Sequence, residues 1–394
     1  MPACVSVSRI LIGVLALMPA SAQTQSSVAA PPIAIPTKFD TSTDHLLIRV
    51  EVNDTPLWCN LDTGWSALLT VDRAESRRAG ISEGPGRPTP DGNPPRRGDG
   101  SATATVTVGS VVLRDHPLVI RDLPVGAPDM DCIMGAGLLR RYVIEFDHIT
   151  PRIVLHDRSS YSPPAGSTSV PLIFRTNVNV PFVRVRVELV DGTEQEVQTV
   201  VDTGTAYYAV ALVAPASTKA RSQLLTARRP VEAESGVGPV QVDAARVAAV
   251  SVGPFRVEKP IIALVGSSLG AVDDGTLGSG FLNRFTIGFD FEGRQMYLAP
   301  NPLFRAEHPF DASGVGFRRT DRGYEVNIVL PDSTAGRADI RVGDSLVSID
   351  GTPAPSLTPN QLRDLLARAG HTCDLVLTRA GQPLRIRLAL QQRL

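Results

Sequence analysis

The sequence predicts a mainly β protein with two related β lobes and a small α+β domain at its C-terminal end. Apolar and polar residues alternate with a period of two in 46–52, 102–108 and 183–187, a pattern typical of half-buried strands. Long helical patterns are scarce outside the C-terminal region. A hydrophobic-Asp-Thr-Gly unit occurs twice, at 61–64 and 201–204, which indicates that the two lobes repeat one another.

The repeat extends well beyond these two short motifs. Gly135 follows Asp62 by 73 residues, and Gly278 follows Asp202 by 76 residues. Each glycine ends a short hydrophobic stretch and precedes an apolar run that closes on the dipeptide Phe-Asp. Chance tripeptides would not share this register, so the sequence predicts two matching lobes, each with one aspartate at an equivalent position.

Shifts in composition indicate the domain boundaries. We expect a first lobe at 38–157, a second lobe at 168–300 and a C-terminal domain at 314–392. Two stretches rich in turn-forming residues, 157–166 and 300–313, are predicted to connect them. Hydrophobic residues make up 43% of the 394-residue chain, which is enough for sizeable cores.

The N-terminal segment has the features of an export signal. Arg9 precedes the apolar run 10–18, and the small residues at 20–22 are typical of a signal peptidase site. We therefore expect residues 1–22 to be removed, leaving a periplasmic or secreted protein without a membrane span. The alternative is an uncleaved membrane anchor, although the run is short for spanning a bilayer.

The overall charge excludes some classes of partner. Lys plus Arg number 39 and Asp plus Glu number 40, for a net charge of −1, and no long basic run occurs. We therefore expect no binding to nucleic acid or to an anionic membrane surface. The six histidines are scattered and the four cysteines form no CxxC pair, so neither a metal site nor a cofactor is predicted.

Both lobes resemble the aspartic proteases of the retropepsin and pepsin clan. In that family each lobe contributes one Asp-Thr-Gly turn, and a later pair of hydrophobic residues followed by Gly lies beside it. Residues 133–135 (Ile-Met-Gly) match this second element in the first lobe. Residues 276–278 (Thr-Leu-Gly) match it in the second lobe, with Thr276 a slight departure. The resemblance covers roughly residues 38–300.

This resemblance implies a bilobal aspartic protease fold and a catalytic pair. Hydrolysis of an amide needs one group that takes a proton from water and another that donates a proton to the carbonyl oxygen, and two facing carboxylates can do both. Repulsion between like charges makes such a pair share a single proton. The resemblance assigns catalysis to Asp62 and Asp202. The implied supporting residues are Thr63 and Thr203, which would bond across the lobes, and Gly64, Gly204 and Thr205.

The residue after each motif differs between the lobes. Thr205 follows the second motif, and a hydroxyl at this position can hydrogen-bond to the neighbouring carboxylate of Asp202 and stabilise it. Trp65 follows the first motif, where the family usually has a small residue, so Asp62 lacks the same support. Two alternatives stay open for Trp65, a wall of a substrate subsite or packing into the core.

The family arrangement also bears on the cysteines. Cys59 lies three residues before Asp62, and Cys132 lies three residues before Gly135. If their strands are neighbours, as in the resembled family, a disulfide is one expectation, and two buried free thiols are the other. Cys373 would be left unpaired in an oxidising compartment.

The flaps that cover substrates in the family are harder to assign. Gly236, Val237 and Gly238 would suit a hairpin tip in the second lobe. The equivalent stretch of the first lobe, 84–100, is crowded with Gly and Pro and is predicted to be a surface loop, with a lid function left open.

The C-terminal domain resembles PDZ domains. Gly314, Val315, Gly316 and Phe317 resemble the loop whose backbone N–H groups receive a peptide's terminal carboxylate in that family. Residues 335–351 follow the family's densest pattern, and 358–369 is predicted to be the amphipathic helix beside the groove. A C-terminal peptide is therefore an expected ligand, with a scaffold that lacks binding as the alternative.

Together these features predict an exported aspartic endopeptidase that acts on protein or peptide substrates and recognises substrates or partners through a PDZ module. Two alternatives stay open. A pseudoprotease would bind extended peptides without cleaving them, and Trp65 favours that view. A scaffold or chaperone would act through the C-terminal groove and would not need either aspartate.

Overall fold

The structure is a computed structural model of the chain. The residues it describes are 31–40, 45–88, 97–123, 129–135, 137, 140–175, 178–223, 228–235, 238–266, 274–320 and 323–392. The expected export signal at 1–22 lies outside the described residues. No helix within these ranges is long and apolar enough to cross a membrane.

The first lobe is an eight-stranded sheet with the strand order β2-β3-β4-β9-β5-β8-β7-β6. Strand β4 runs antiparallel to β3 and parallel to β9, so the strand that precedes the first Asp-Thr-Gly motif is central. The elements of this part of the chain are β1 (Ile33–Ile35), β2 (Thr37–Phe39), β3 (Leu46–Val52), β4 (Thr55–Asp62), β5 (Leu69–Asp72), α1 (Arg73–Arg78), β6 (Gly84–Pro85), β7 (Gly100–Val108), β8 (Val111–Arg121), β9 (Cys132–Gly135), β10 (Tyr142–Asp147) and β11 (Arg152–Asp157).

The second lobe repeats this plan in a larger sheet. Its main path is β17-β18-β21-β16-β22-β15-β14-β19-β20, and β15, which precedes the second motif, pairs in parallel with β22. The elements are β12 (Thr168–Pro171), β13 (Ile173–Arg175), β14 (Val178–Glu188), β15 (Glu194–Val201), β16 (Val210–Leu212), α2 (Ala216–Gln223), β17 (Arg228–Ser235), β18 (Gly238–Arg246), β19 (Ala249–Val252), β20 (Phe255–Glu258), β21 (Ile261–Val265), β22 (Gly275–Leu277), α3 (Ser279–Leu282), β23 (Phe285–Asp290) and β24 (Gln295–Pro300).

A third sheet joins the two lobes, in the order β1-β11-β10-β23-β24-β12. At its centre β10 and β23 pair antiparallel, with Ile144 opposite Phe289 and Phe146 opposite Ile287. These are the two apolar runs that close the sequence repeat, so the repeated segments pair with each other. Their buried side chains belong to a single hydrophobic core that includes residues of both lobes. Each lobe therefore fixes the position of the other through shared buried surface.

The C-terminal domain has its own sheet and its own core. The strand order is β25-β26-β27-β29-β30, which leaves β25 at an edge. The elements are β25 (Val315–Thr320), β26 (Gly323–Val329), α4 (Thr334–Arg337), β27 (Ser345–Ile349), β28 (Thr352–Pro353), a 3-10 helix (Ala354–Ser356), α5 (Pro359–Leu366), β29 (Thr372–Arg379) and β30 (Gln382–Ala389). Its buried side chains form a cluster separate from that of the lobes.

The predicted amphipathic helix corresponds to α5, which is shorter than the expected 358–369. Thr358 caps its N-terminus in a reciprocal capping box with Gln361. Leu362 and Leu366 are buried in the domain core. The helix ends at Leu366, and the backbone N–H of its C-cap residue Ala367 donates to the Arg363 carbonyl.

The predicted fold class, mainly β with two lobes and an α+β domain, is confirmed. The strands expected at 46–52, 102–108 and 183–187 are present as β3 and within β7 and β14. The predicted connections at 157–166 and 300–313 are fully described and contain turns but no strand or helix beyond their first residues, Asp157 and Pro300, which end β11 and β24.

Candidate active site

The first aspartate is positioned by a pair of parallel strands. Asp62 is the last residue of β4 and lies opposite Gly135, the last residue of β9. Gly135 has no room for a side chain, because a Cβ there would lie 2.3 Å from the carbonyl oxygen of Ala67. A disulfide between Cys59 and Cys132 joins the same two strands. The strands are thus neighbours as the resemblance implied, and the alternative of two free thiols is wrong.

The second lobe repeats this arrangement without a disulfide. Val201, at the end of β15, lies opposite Leu277 of β22, and the backbone N–H of Asp202 donates to the Leu277 carbonyl at 3.0 Å. A Cβ on Gly278 would lie 2.6 Å from the Tyr208 carbonyl oxygen. Each glycine of the second repeated element is therefore required by close backbone approach beside its aspartate.

A symmetric pair of acidic residues supports these strands, and the sequence interpretation missed it. The Asp131 carboxylate accepts from the backbone N–H of Trp58 at 2.8 Å. The Asp274 carboxylate accepts from Gln198 N–H, also at 2.8 Å. Both aspartates precede the matched glycine by four residues, so an alignment of the two halves carries the signal that would have found them.

The two threonines of the motifs bond across the lobes, as the resemblance implied. Thr63 N–H donates to Thr203 Oγ1 at 3.0 Å, and Thr63 Oγ1 donates to the Val201 carbonyl at 2.6 Å. In the reverse direction, Thr203 N–H donates to Thr63 Oγ1 at 3.1 Å, and Thr203 Oγ1 donates to the Leu61 carbonyl at 2.7 Å. Four hydrogen bonds therefore fix the two turns relative to each other.

The two carboxylates face each other above these threonines. Gly64 N–H donates to Asp62 Oδ1, and Gly204 N–H donates to Asp202 Oδ1, each at 2.8 Å. A Cβ on Gly64 would lie 2.5 Å from Asp202 Cγ, and a Cβ on Gly204 would lie 2.3 Å from Asp62 Oδ2. Each motif glycine thus makes room for the carboxylate of the opposite lobe.

The electrostatics of the pair favour a shared proton. Burial raises the pKa of the Asp62 carboxyl well above its ordinary value of 3.8, and the charge of Asp202 and a hydrogen bond between the two carboxyl groups raise it further. Backbone N–H donors from Gly64 and Trp65 oppose this increase in pKa. Such a pair can hold one proton over a range of pH in which isolated carboxyl groups have lost theirs.

Within the described part of the chain, Asp202 has a hydroxyl partner and Asp62 has none. Thr205 Oγ1 donates to Asp202 Oδ2 at 2.7 Å, as the sequence predicted. Behind it lies the Thr276 hydroxyl, 2.9 Å from Thr205 Oγ1. The Thr276 hydroxyl, at a position where the repeat otherwise has an apolar residue, is the sequence signal of this second hydroxyl. A hydroxyl donor stabilises the charge of the carboxylate that it contacts.

Trp65 occupies the equivalent place in the first lobe without displacing the aspartates. Its indole N–H donates to the buried Thr70 Oγ1 at 2.9 Å, and the Arg121 guanidinium lies over the ring at 5.4 Å from its centroid. Arg121 in turn forms a bidentate ion pair with Asp99 at 2.7 Å. Trp65 is half-buried, so it lines the margin of the first lobe instead of filling its core.

The expected flaps are only partly described. Strands β17 and β18 form a hairpin in which Ser235 lies opposite Gly238, which agrees with a tip at the predicted position, and residues 236–237 lie outside the described residues. In the first lobe β6 pairs with the start of β7, and residues 89–96 of the predicted loop lie outside the described residues.

The residues expected to bind a peptide carboxylate form a separate cluster at the start of β25. Gly314 has a φ of +79°, and its N–H donates to Asp311 Oδ2 at 2.7 Å. Val315 N–H donates to Ser313 Oγ at 3.1 Å. Gly316 and Phe317 follow in the strand, at a register shift. Two N–H groups of this loop therefore have acceptors in the connection that precedes it.

Among the described residues, no group of three or more His, Cys, Asp or Glu side chains is arranged to hold a metal ion. The chemistry that the site offers is that of two facing carboxyl groups, one of them with a raised pKa, fixed by hydrogen bonds from backbone and hydroxyl donors.

Comparison with known proteins identifies the C-terminal domain. Residues 325–379 match the family model of the PDZ domain. No curated protein matches the sequence. Among solved structures, the chain is similar to an aspartic proteinase from Irpex lacteus, with 14% sequence identity and a TM-score of 0.43, over 71% of this chain and 100% of that one. The region 325–379 is therefore a PDZ domain, as its sequence predicted.

Proposed function

We propose that this protein is an aspartic-type endopeptidase in which Asp62 and Asp202 activate one water molecule. The observation that carries this proposal is the reciprocal fit at the centre of the molecule. Each motif glycine leaves space that only the opposite carboxylate fills, and the crossed threonine hydrogen bonds hold that arrangement. A pair of turn-forming surface aspartates would need neither feature.

The unequal partners of the two carboxylates assign their roles. Asp62, whose pKa is raised by burial and by the neighbouring carboxylate, serves as the proton donor, and Asp202, which accepts hydrogen bonds from Gly204 N–H and the Thr205 hydroxyl, serves as the base. In the first step Asp202 takes a proton from water while the water oxygen bonds to the carbonyl carbon. Asp62 gives its proton to the carbonyl oxygen, which produces a tetrahedral diol.

Collapse of the diol restores the pair. Asp202 returns its proton to the amide nitrogen, Asp62 takes a proton from one hydroxyl of the diol, and the C–N bond breaks. The products are an amine and a carboxylic acid, and the two carboxyl groups again share one proton. Neither a metal ion nor a covalent intermediate is required by this sequence of steps.

The proposal extends to location and recognition. The predicted export signal at 1–22 and the Cys59–Cys132 disulfide both support a protein that works in an oxidising compartment outside the cytoplasm. The PDZ domain supports recognition of a protein substrate or partner, since β25 is an edge strand that an extended peptide can pair with.

The test is cleavage of a denatured protein by the wild type, Asp62→Asn and Asp202→Asn. Asp54→Asn is the matched control, because Asp54 is exposed in the turn between β3 and β4 of the same lobe. We expect each of the first two variants to lose activity by at least about 1,000-fold and the control to cleave normally. Cleavage that survives Asp62→Asn or Asp202→Asn would refute the proposal. Binding without cleavage by the wild type would favour the peptide-binding alternative.

A further inference from the structure

Tyr207 links the catalytic turn of the second lobe to the rest of the molecule. It lies between Thr205 and β16, and its φ of +70° is unusual for an aromatic residue. Its backbone N–H donates to Ser279 Oγ at 2.7 Å, and Ser279 N–H donates to the Thr205 carbonyl at 2.8 Å. A residue in this conformation persists only where its surroundings hold it.

The Tyr207 ring is surrounded by groups from outside the second lobe's sheet. Its hydroxyl donates to the Pro309 carbonyl, and its ring packs edge-on against His308 at 5.0 Å between centroids. The guanidinium of Arg363 lies 5.0 Å from the centroid of the Tyr207 ring. Arg363 belongs to α5 of the PDZ domain, so that domain touches the loop that carries Asp202.

The connection between the two domains is fixed to the second lobe. Arg284 donates from Nε to the Gly280 carbonyl at 2.9 Å and from Nη1 to the Leu303 and Ala306 carbonyls at 2.9 and 2.6 Å. Farther along, Ile261 N–H donates to His308 Nδ1 at 3.1 Å. Burial lowers the pKa of His308 to about 3, so its ring is neutral and packs as an uncharged group against Tyr207.

Helix α5 gives Arg363 a defined position. Leu362 and Leu366 are buried in the PDZ core, and Arg363 Nη2 donates to Asn360 Oδ1 at 2.7 Å. Ala312 N–H donates to the Leu366 carbonyl at 2.9 Å, which ties the end of the connection to the helix. Rotation of the helix about its axis would expose these leucines, so the backbone of Arg363 stays beside Tyr207.

We infer that Arg363 is a positioning residue for the catalytic turn of the second lobe, acting through Tyr207. The inference rests on the proposed function, because it assigns the PDZ domain a part in holding Asp202 in place. A cation over an aromatic ring favours one placement of that ring. Tyr207 is only two residues from Thr205, so holding its ring also restrains the turn that carries Asp202. The PDZ domain is then a structural part of the protease site as well as a recognition module.

The test compares Arg363→Ala and Arg363→Lys with the control Arg385→Ala in the full chain. Arg385 is exposed on β30 of the same domain. Hydrogen exchange of the backbone amides in 203–209 is measured first, because it does not depend on activity. We expect exchange there to accelerate roughly three- to tenfold in Arg363→Ala, less in Arg363→Lys, and not in the control. If Arg363→Ala fails to fold, Arg363→Gln, which keeps the length but not the charge, replaces it.

Kinetics on a peptide substrate complete the test. We expect kcat to fall by a similar factor in Arg363→Ala with KM unchanged, and Arg363→Lys to recover part of the loss. Unchanged exchange in 203–209, or an unchanged kcat in a chain that depends on both aspartates, would overturn the inference. Accelerated exchange in a chain whose cleavage survives Asp62→Asn and Asp202→Asn would refute the proposed function instead.

Discussion

The two Asp-Thr-Gly turns have the same backbone design but different side-chain support. Both follow a strand paired in parallel with a second repeated segment, and both use the same crossed threonine bonds. Yet Asp202 has the Thr205 hydroxyl, whereas Trp65 at the equivalent position of the first lobe turns its indole N–H to Thr70. The shared backbone brings the carboxylates together, and the unshared side chains make them chemically unequal.

The turns are also stabilised by different means. The first lobe has a covalent bond, Cys59–Cys132, between the strands that position Asp62. The second lobe has Thr199 and Gly275 at those positions, and its turn is instead supported by Tyr207 and its contacts with the PDZ domain. Reducing agents should therefore destabilise the first lobe, and changes in the C-terminal domain should destabilise the turn of the second lobe.

Loss of the disulfide is expected to have the largest effect. Removing a crosslink that closes 73 residues frees the unfolded chain, so the double variant Cys59→Ala/Cys132→Ala should lose about 4 kcal/mol of unfolding free energy. Urea unfolding at neutral pH measures this loss. The matched change in lobe two is Thr199→Val, which should be nearly neutral because the buried Thr199 hydroxyl has no hydrogen-bond partner among the described residues. Equal stability of the double variant and the wild type would contradict the role given to the disulfide in stabilising the first lobe.

The motif glycines should respond alike in both lobes. In Gly64→Ala and Gly204→Ala the new methyl group meets the opposite carboxylate, which can move only by leaving its place. We expect kcat to fall about 100-fold in each, with little loss of stability, because the displaced atoms belong to a side-chain end. Gly266→Ala is the control, since a Cβ there would lie 3.6 Å from its nearest neighbour. Normal activity in one of the two variants would show that the lobes do not face each other symmetrically.

Replacing the residue that follows each motif, Thr205 or Trp65, should shift the pH dependence of activity. Thr205→Val removes a hydroxyl donor from the carboxyl pair, so the acid limb of kcat/KM should move to higher pH. Trp65→Thr offers a hydroxyl to Asp62 and should make the two members of the pair more alike. A pH profile that Thr205→Val leaves unchanged would argue against Asp202 as the base.

The smallest expected effect concerns stability against pH. Because the folded pKa of Asp62 is raised above its unfolded value near 3.8, the folded state binds more protons, and stability falls as pH rises from that value toward the raised pKa. Asp62→Asn removes this loss. Its melting temperature should match that of the wild type below about pH 4 and exceed it at neutral pH. Parallel curves for the two proteins would exclude a raised Asp62 pKa.

The sequence predicted the features that occur in both lobes and left open those that depend on contacts between distant residues. The motifs and their downstream glycines appear twice in fixed register, so two matching lobes with equivalent aspartates could be inferred from the chain, and the family resemblance implied the strand pairs beside Asp62 and Asp202. The Cys59–Cys132 disulfide stayed one of two alternatives, because its formation depends on the register of β4 against β9, which spacing alone does not determine.

Other features had weak signals or none. Thr276 differs from its apolar counterpart by one hydroxyl, and only the folded chain shows that this hydroxyl meets Thr205. The contact of Arg363 with Tyr207 joins two domains that are distant in the sequence. Neither motif nor periodicity reports how two surfaces dock, so that contact could not be predicted.

The pH dependence of kcat/KM on a peptide substrate, from about pH 3 to about pH 8, tests the central claim most directly. A single proton shared by Asp62 and Asp202 predicts a bell-shaped profile. The doubly protonated pair has no base to take a proton from water, and the doubly ionised pair has no acid to donate one to the carbonyl oxygen. A rate that rises with pH to a plateau, as one carboxylate base alone would give, would contradict the account.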